Sequence, residues 1–203
     1  MYKRQVEEAI WLARLVERSA HDDPEAKGLL ALMLFSESRR HSRRSSTGEF
    51  VQLTQQDVSL WNEQMISEAQ LLMYRASRNS SLRRYQLEAA IQSVHAQRLE
   101  TGKTDWEAIV GLYDLLLQVS PSFGAQVAHA VAHGEAFGAK EGLDRLSRLP
   151  EAELKSYSPY WAAKGHFLQK IGREKDAKES LLKAADLATD EATRKWLINK
   201  AAN

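Results

Sequence analysis

From Leu29 to Phe35 every residue is apolar, and the run lies inside a stretch whose apolar positions otherwise recur at helical spacing. A helix that is apolar nearly all round cannot rest on a surface, because it has no polar face to turn to water. It must be enclosed. The run is far short of the ~20 residues that a membrane-spanning helix needs, so the enclosing elements have to come from the chain itself. A chain of 203 residues can bury roughly 70% of the surface it exposes when unfolded, enough for a sizeable core or a short solenoid. Almost every other segment repeats the three- and four-residue step, so the expectation is an all-α protein packed around a central helix over residues 24–44.

The remaining helices follow from the same pattern. Residues 6–20 carry Ile10, Leu12, Leu15 and Val16 on one stripe. Asp22-Asp23-Pro24 then marks a helix start, since a carboxylate can cap and proline is tolerated where no backbone donor is needed. Ser45-Ser46-Thr47-Gly48 breaks the central helix, and Phe50, Val51 and Leu53 read as one short extended segment over 50–53. A long helix is expected over 55–77, holding Val58, Trp61, Met65, Ile66, Ala69, Leu72 and Met73, and closed by Asn79-Ser80-Ser81. From residue 82 the chain reads as helix pairs: 82–99 with 105–119, 122–135 with 139–149, and 159–171 with 174–188. A last helix over 191–201 should cap them. This divides the chain into a helical subdomain over 6–81 and an array over 82–203.

The third pair carries a repeat signal. A tetratricopeptide unit shows W-x2-L-G-x2-Y, then A-x3-F, with a proline near its end. Trp161, Gly165 and Leu168 fill the first group, with Lys164 where leucine is usual. Ala177, Leu181 and Ala184 fill the second, Gly172 takes the turn, and Thr189 stands where proline would be. Small residues at three of these positions let two helices approach, and Trp161 should be buried between them. Ala108 and Leu112 followed by Ser120-Pro121 match only the second half of the pattern. The expected architecture is a helical array ending in a short tetratricopeptide-like solenoid. On the first helix of its best repeat, His166, Gln169 and Lys170 fall where groove residues sit, and such a groove can accept a peptide or helix.

Chemistry-bearing motifs are few. The 28 Lys and Arg nearly cancel the 27 Asp and Glu, leaving net +1, so the chain has no global footprint for nucleic acid or an anionic membrane. It has no cysteine, which excludes disulfides and thiolate chemistry and fits a cytoplasmic setting. Arg39, Arg40, Arg43 and Arg44 form the dense basic cluster. Either they complement the negative end of a helix, or they dock an acidic partner surface. His129 and His133 share a helix face at a spacing that suits metal, yet Ala130 stands where the glutamate of an H-E-x-x-H site would be. Two histidines lining a helix interface is the simpler reading, and no stoichiometric metal binding is expected. Tyr85, His95, Trp106 and Tyr113 fall on helical stripes as core residues. No G-x-S-x-G, phosphate-cradling glycine loop or paired catalytic carboxylates occur, so neither an enzyme nor a cofactor is expected.

Three blocks occur in order: GLLALMLFSESRR from Gly28, GEFVQLTQQDVSLW from Gly48, and YQLEAAIQSVHA from Tyr85. Thr104-Asp105-Trp106 and Leu112-Tyr113-Asp114 follow. The ordered set resembles the C-terminal extension of bacterial extracytoplasmic-function RNA polymerase sigma factors that end in a tetratricopeptide-like region. In that group the blocks read GLLALMLLHxARR, DGxxVxLExQDxxxW and YQxQAAIxxxHA. Arg39-Arg40 and Gln56-Asp57 match the ARR and QD elements, and a pair between Arg40 and Asp57 would pin the extended segment between helices. Ser36-Glu37-Ser38 and Thr54 depart from the pattern.

The resemblance implies a regulatory, protein-interaction module of a sigma factor acting in transcription initiation. Its partners would be sigma regions 2 and 4 of the full-length protein, the RNA polymerase core, or both, with no specific DNA binding of its own. The chain is expected to be a fragment that lacks sigma regions 2 and 4. Met1-Tyr2-Lys3-Arg4-Gln5 equals the translation of GTG-TAT-AAG-AGA-CAG, a transposon sequencing-adaptor end, so residues 1–5 are expected to be an artefact of a reading frame cut at a contig edge. A free-standing repeat scaffold in another assembly is the alternative, and a small helical metal protein or enzyme a third reading. The DNA upstream of Val6 separates the first two.

Overall fold

A computed structural model of the chain describes residues 2–20, 22–78 and 82–202. The described residues are all-α, as the apolar periodicity requires. By their internal contacts they fall into two compact units that interleave in sequence. The first holds Met1–Arg43, Leu53–Asp105 and Asp114–Ser120; the second holds Arg44–Gln52, Trp106–Tyr113 and Pro121–Asn203. The boundary expected between residues 81 and 82 falls inside the first unit, because the helix that follows it, residues 84–96, belongs to that unit as well. The expected stop at Asn79-Ser80-Ser81 lies outside the described residues.

The first unit is built around α2 (Pro24–Ser38), where Leu30, Ala31, Leu34 and Phe35 are fully buried. Asp23 caps it by accepting from the Glu25 amide at 3.0 Å, with Pro24 in the first turn. α1 (Tyr2–Ser19) covers it with Ile10 and Ala13. The central helix ends earlier than the expected residue 44. Ser38 hands its carbonyl to the Asn62 amide (2.9 Å), so the chain returning from elsewhere takes the acceptor that a continuing helix would use. A 3-10 turn, Arg40–Ser42, follows instead.

The segment expected to extend over 50–53 reduces to one antiparallel bridge between Arg44 and Phe50, and Leu53 already opens a 3-10 turn, Leu53–Gln55. The next helix also begins later than expected. Asp57 caps a second 3-10 turn, Val58–Leu60, and Asn62 caps α3 (Glu63–Ala76) by accepting from the Met65 amide at 2.9 Å. Between these caps Trp61 is pulled inward, its indole donating to Ser42 Oγ at 2.9 Å. Two polar caps and one anchored indole outweigh the helical pattern of residues 55–62.

α4 (Arg84–Ala96) and α5 (Arg98–Thr101) also belong to the first unit, and α5 ends at Gly102 with φ 72°. Glu25 of α2 reaches across to accept from the amides of Tyr85 (3.0 and 3.1 Å) and Gln86 (3.4 Å). A carboxylate thus satisfies orphan donors at the positive end of α4. Gly28 lies against that same turn: a Cβ there would meet Gln86 N at 2.6 Å.

α6 (Trp106–Val119) contributes to both units. The second unit then contains α7 (Phe123–Phe137), α8 (Ala139–Ser147), α9 (Glu151–Leu154), α10 (Ser158–Lys170), α11 (Glu174–Asp186) and α12 (Glu191–Ala202). The pattern missed the short α9, which follows Pro150. Phe167 is fully buried, and its ring occupies the space that side chains at Gly134 and Gly142 would fill, with contacts of 2.2 to 2.9 Å to the hypothetical Cβ atoms. α10 and α11 pack as an antiparallel pair about Gly172, whose φ is 77°. All six repeat positions, Trp161, Gly165, Leu168, Ala177, Leu181 and Ala184, are buried. At Gly165 a Cβ would lie 2.7 Å from Leu181 Cγ, so the missing side chain is what lets the helices meet. Among the described residues no helix is long and apolar enough to cross a membrane.

Candidate functional site

The basic run at the end of α2 is consumed internally. Arg39 is 92% buried, its exposure being 8%, and its Nη2 donates to Gln92 Oε1 at 2.5 Å. Its guanidinium lies 6.0 Å from the centroid of the Trp61 ring, and that of Arg98 lies 5.2 Å from it. Arg43 donates to the Ser36 carbonyl and, at 2.8 Å, to the Ser36 hydroxyl. Arg44, in the second unit, reaches Asp190 at 3.3 Å.

The expected Arg40–Asp57 pair does not form. The tight turn after α2 sets Arg40 Nε 2.5 Å from Glu37 Oε1, three residues back. Asp57 instead accepts from the amide (2.9 Å) and hydroxyl (2.7 Å) of Ser59, bonds that lower its pKa. The pinning role passes to Arg98, which donates to the carbonyls of Leu53 and Gln56. Sequence reasoning missed Arg98 because it lies just beyond the YQLEAAIQSVHA block, in a four-residue helix with no distinguishing pattern.

This cationic core shifts its neighbours. Burial, then Arg43 and Arg98, bring Arg39 down to about 10. Burial, then Arg39 and Arg98, bring His95 down to about 4, so its imidazole is neutral near neutral pH. The constellation holds a segment in place.

The groove candidates of the second unit do converge. His166 Nε2 lies 2.7 Å from Glu135 Oε1, and Lys170 Nζ is 2.8 Å from both oxygens of that carboxylate. Lys200 of α12 reaches the other nitrogen of His166, Nδ1, at 3.0 Å. Since an ammonium only donates, Nδ1 accepts and Nε2 carries the proton donated to Glu135. Gln169 donates to the Lys200 carbonyl at 2.8 Å and ties α12 to α10. The hydrogen bond from His166, reinforced by Lys170 against the opposing effect of burial, holds Glu135 down at about 2. Burial and the nearby Lys170 lower the pKa of Lys200, with Glu135 opposing. Lys170 on the carboxylate and Lys200 on His166 thus set two ammonium groups beside one carboxylate, leaving a local positive excess on this side of α10. Neither Glu135 nor Lys200 stood out in the sequence, because their partners are distant in the chain.

The other side of α10 borders a cleft of about 490 Å³ floored by Trp161 and Leu168. Lys183 Nζ lies 3.5 Å from the centroid of the Trp161 ring and Lys164 Nζ 4.8 Å. On α7, the Nε2 atoms of His129 and His133 face each other at 3.1 Å.

A family of unknown function, DUF6596, matches residues 1–77. An uncharacterized protein of Rhizobium meliloti (strain 1021) is 36% identical over 184 residues, covering 91% of this chain and 43% of the relative. The chain therefore spans less than half the length of that relative. No solved structure matches.

Proposed function

We propose that this chain is a regulatory, protein-interaction module of an extracytoplasmic-function sigma factor, acting in transcription initiation in the bacterial cytoplasm. The observation that supports this reading most is the mutual packing of the three sequence blocks that carry the resemblance. Gly28 of the first block abuts Gln86 of the third, and Trp61 of the second bonds Ser42 just beyond the first. Residues that recur together in order also touch, as parts of one fold element should. The module binds rather than catalyses: the polar groups it concentrates are ion pairs and structural hydrogen bonds.

Its docking surface is the groove side of α10, read as one face of a short tetratricopeptide-like solenoid. The positive excess at Lys170 and Lys200 suits a peptide or helix that brings an acidic side chain. The partner is a sigma region 2–4 polypeptide or the RNA polymerase core. The test is size-exclusion co-elution of the chain with each, using a sigma region 2–4 polypeptide from the same genome. One of the two should co-elute, and Lys170→Glu with Lys200→Glu should weaken the complex. Co-elution with neither would sink the reading.

DNA binding supplies a separate prediction. The basic run is spent on internal partners, so promoter duplex should be bound weakly, if at all, and without sequence preference. Such binding loses about 0.9 log units of affinity per phosphate contact per log unit of salt, which leaves little near physiological salt. Gel shifts on promoter and scrambled duplexes check this. Sequence-selective binding that survives at ~150 mM salt would contradict it.

A further inference from the structure

We propose that His129 and His133 form a chelating site for a late first-row divalent cation, with copper(II) ahead of nickel(II) and zinc. This goes beyond the reading above and does not depend on it. The spacing suits metal, but the sequence argued against a site for want of a glutamate at position 130 and of further ligands. The geometry of α7 argues for it. One helical turn separates the two residues, which places both rings on the same face. Their Nε2 atoms approach to 3.1 Å, with ring centroids 4.5 Å apart and planes at 79°.

That separation is a chelate bite. With metal–nitrogen bonds of about 2.0–2.1 Å, nitrogens 3.1 Å apart subtend about 100° at the metal. The value lies between the cis angle of a tetragonal ion and the edge of a tetrahedron, so copper, nickel and zinc all fit. Intrinsic affinity for imidazole then decides, and the general order of these ions puts copper(II) first.

The surroundings suit a ligand pair. His133 is only 8% exposed, and its ring lies 5.5 Å from that of Phe137. His129 is partly exposed and lies 6.4 Å, ring to ring, from Tyr113. The buried ring is held in position while the other opens a path for the ion. Metal-free, the pair closes on itself, one Nε2 donating to the other. Binding requires both Nε2 atoms as acceptors, so the proton on the donor leaves Nε2 and each ring carries hydrogen on Nδ1 alone. The remaining coordination positions go to water. Alanine stands at position 130, where the glutamate of an H-E-x-x-H site would be, so the proposal is one of binding alone.

The experiment titrates the full chain, free of any affinity tag, with copper(II) in a non-coordinating buffer. Calorimetry and electron paramagnetic resonance are read together. One saturable equivalent is expected, with a signal showing two coordinated nitrogens and a rise in Tm. His129→Ala, which spares the buried ring, should abolish the equivalent, the two-nitrogen signal and the Tm rise. His41→Ala, on the exposed turn after α2, should change none of them. Absence of a saturable equivalent, its persistence in His129→Ala, or its loss in His41→Ala would each overturn the proposal.

Discussion

Trp161→Ala should lower the unfolding free energy by about 3–5 kcal/mol, the usual cost of removing a large aromatic side chain from a core. Trp161 is 6% exposed and meets Tyr160 edge-on, with ring centroids 5.1 Å apart. Its indole nitrogen donates to the Lys155 carbonyl at 3.2 Å. Truncation strands that carbonyl, removes the ring on which Lys183 lies, and opens the α10–α11 pair to the adjoining cleft. Because the cleft is already there, water can enter, which favours the lower half of the range. Chemical denaturation of the full chain, followed by far-ultraviolet circular dichroism, checks the value. A loss below 1 kcal/mol would mean that the W-x2-L-G-x2-Y alignment misplaces the core.

Gly28→Ala should cost about 2 kcal/mol or more, although alanine is the better helix former by about 1 kcal/mol. The new methyl would meet Gln86 N at 2.6 Å, the Tyr85 carbonyl carbon at 2.8 Å and Gln86 Cα at 2.9 Å. All three are backbone atoms at the start of α4, so no side chain can swing away. Relief demands that α4 retreat, and retreat loosens the bonds from the Tyr85 and Gln86 amides to Glu25. Gly111 of α6 is the matched control, with nothing within 4 Å of its hypothetical Cβ. There alanine should stabilise slightly. A neutral Gly28→Ala would show that α2 and α4 do not pack as closely as described.

How much of this was legible in the sequence depends on the range of the interaction. Helix spacing fixed the all-α class, and the repeat pattern identified six residues that are all buried in the α10–α11 pair. Those signals are local, set by 3.6-residue periodicity and by where small residues permit close approach. The segment over 55–62 was misread as helix because Asp57, Asn62 and Trp61 act through caps and one long-range bond to Ser42. The Arg40–Asp57 pair failed for a related reason: the turn after Ser38 gave Arg40 a nearer carboxylate in Glu37. Of the ion-pair cluster on α10, His166, Gln169 and Lys170 were singled out in the sequence as groove candidates, but Glu135 and Lys200, which they contact, were not. Periodicity reports which way a residue faces on its helix, not which distant helix it will meet.

The interleaving of the two units bears on how the chain can be made and divided. Neither unit is a continuous piece: the first lacks its last segment until residue 120, and the second draws on residues 44–52 and 106–113. During synthesis the first unit cannot close as soon as its central helix emerges; α2 must wait for α4, and the unit for the end of α6. Splitting the gene after residue 81 would yield two fragments, one holding α2 with its apolar flank open and the other holding the α4 that should cover it. Each would tend to aggregate alone, and only co-expression would restore the contact between Gly28 and Gln86. For anyone dividing this protein, a cut after residue 81 is therefore not a workable joint.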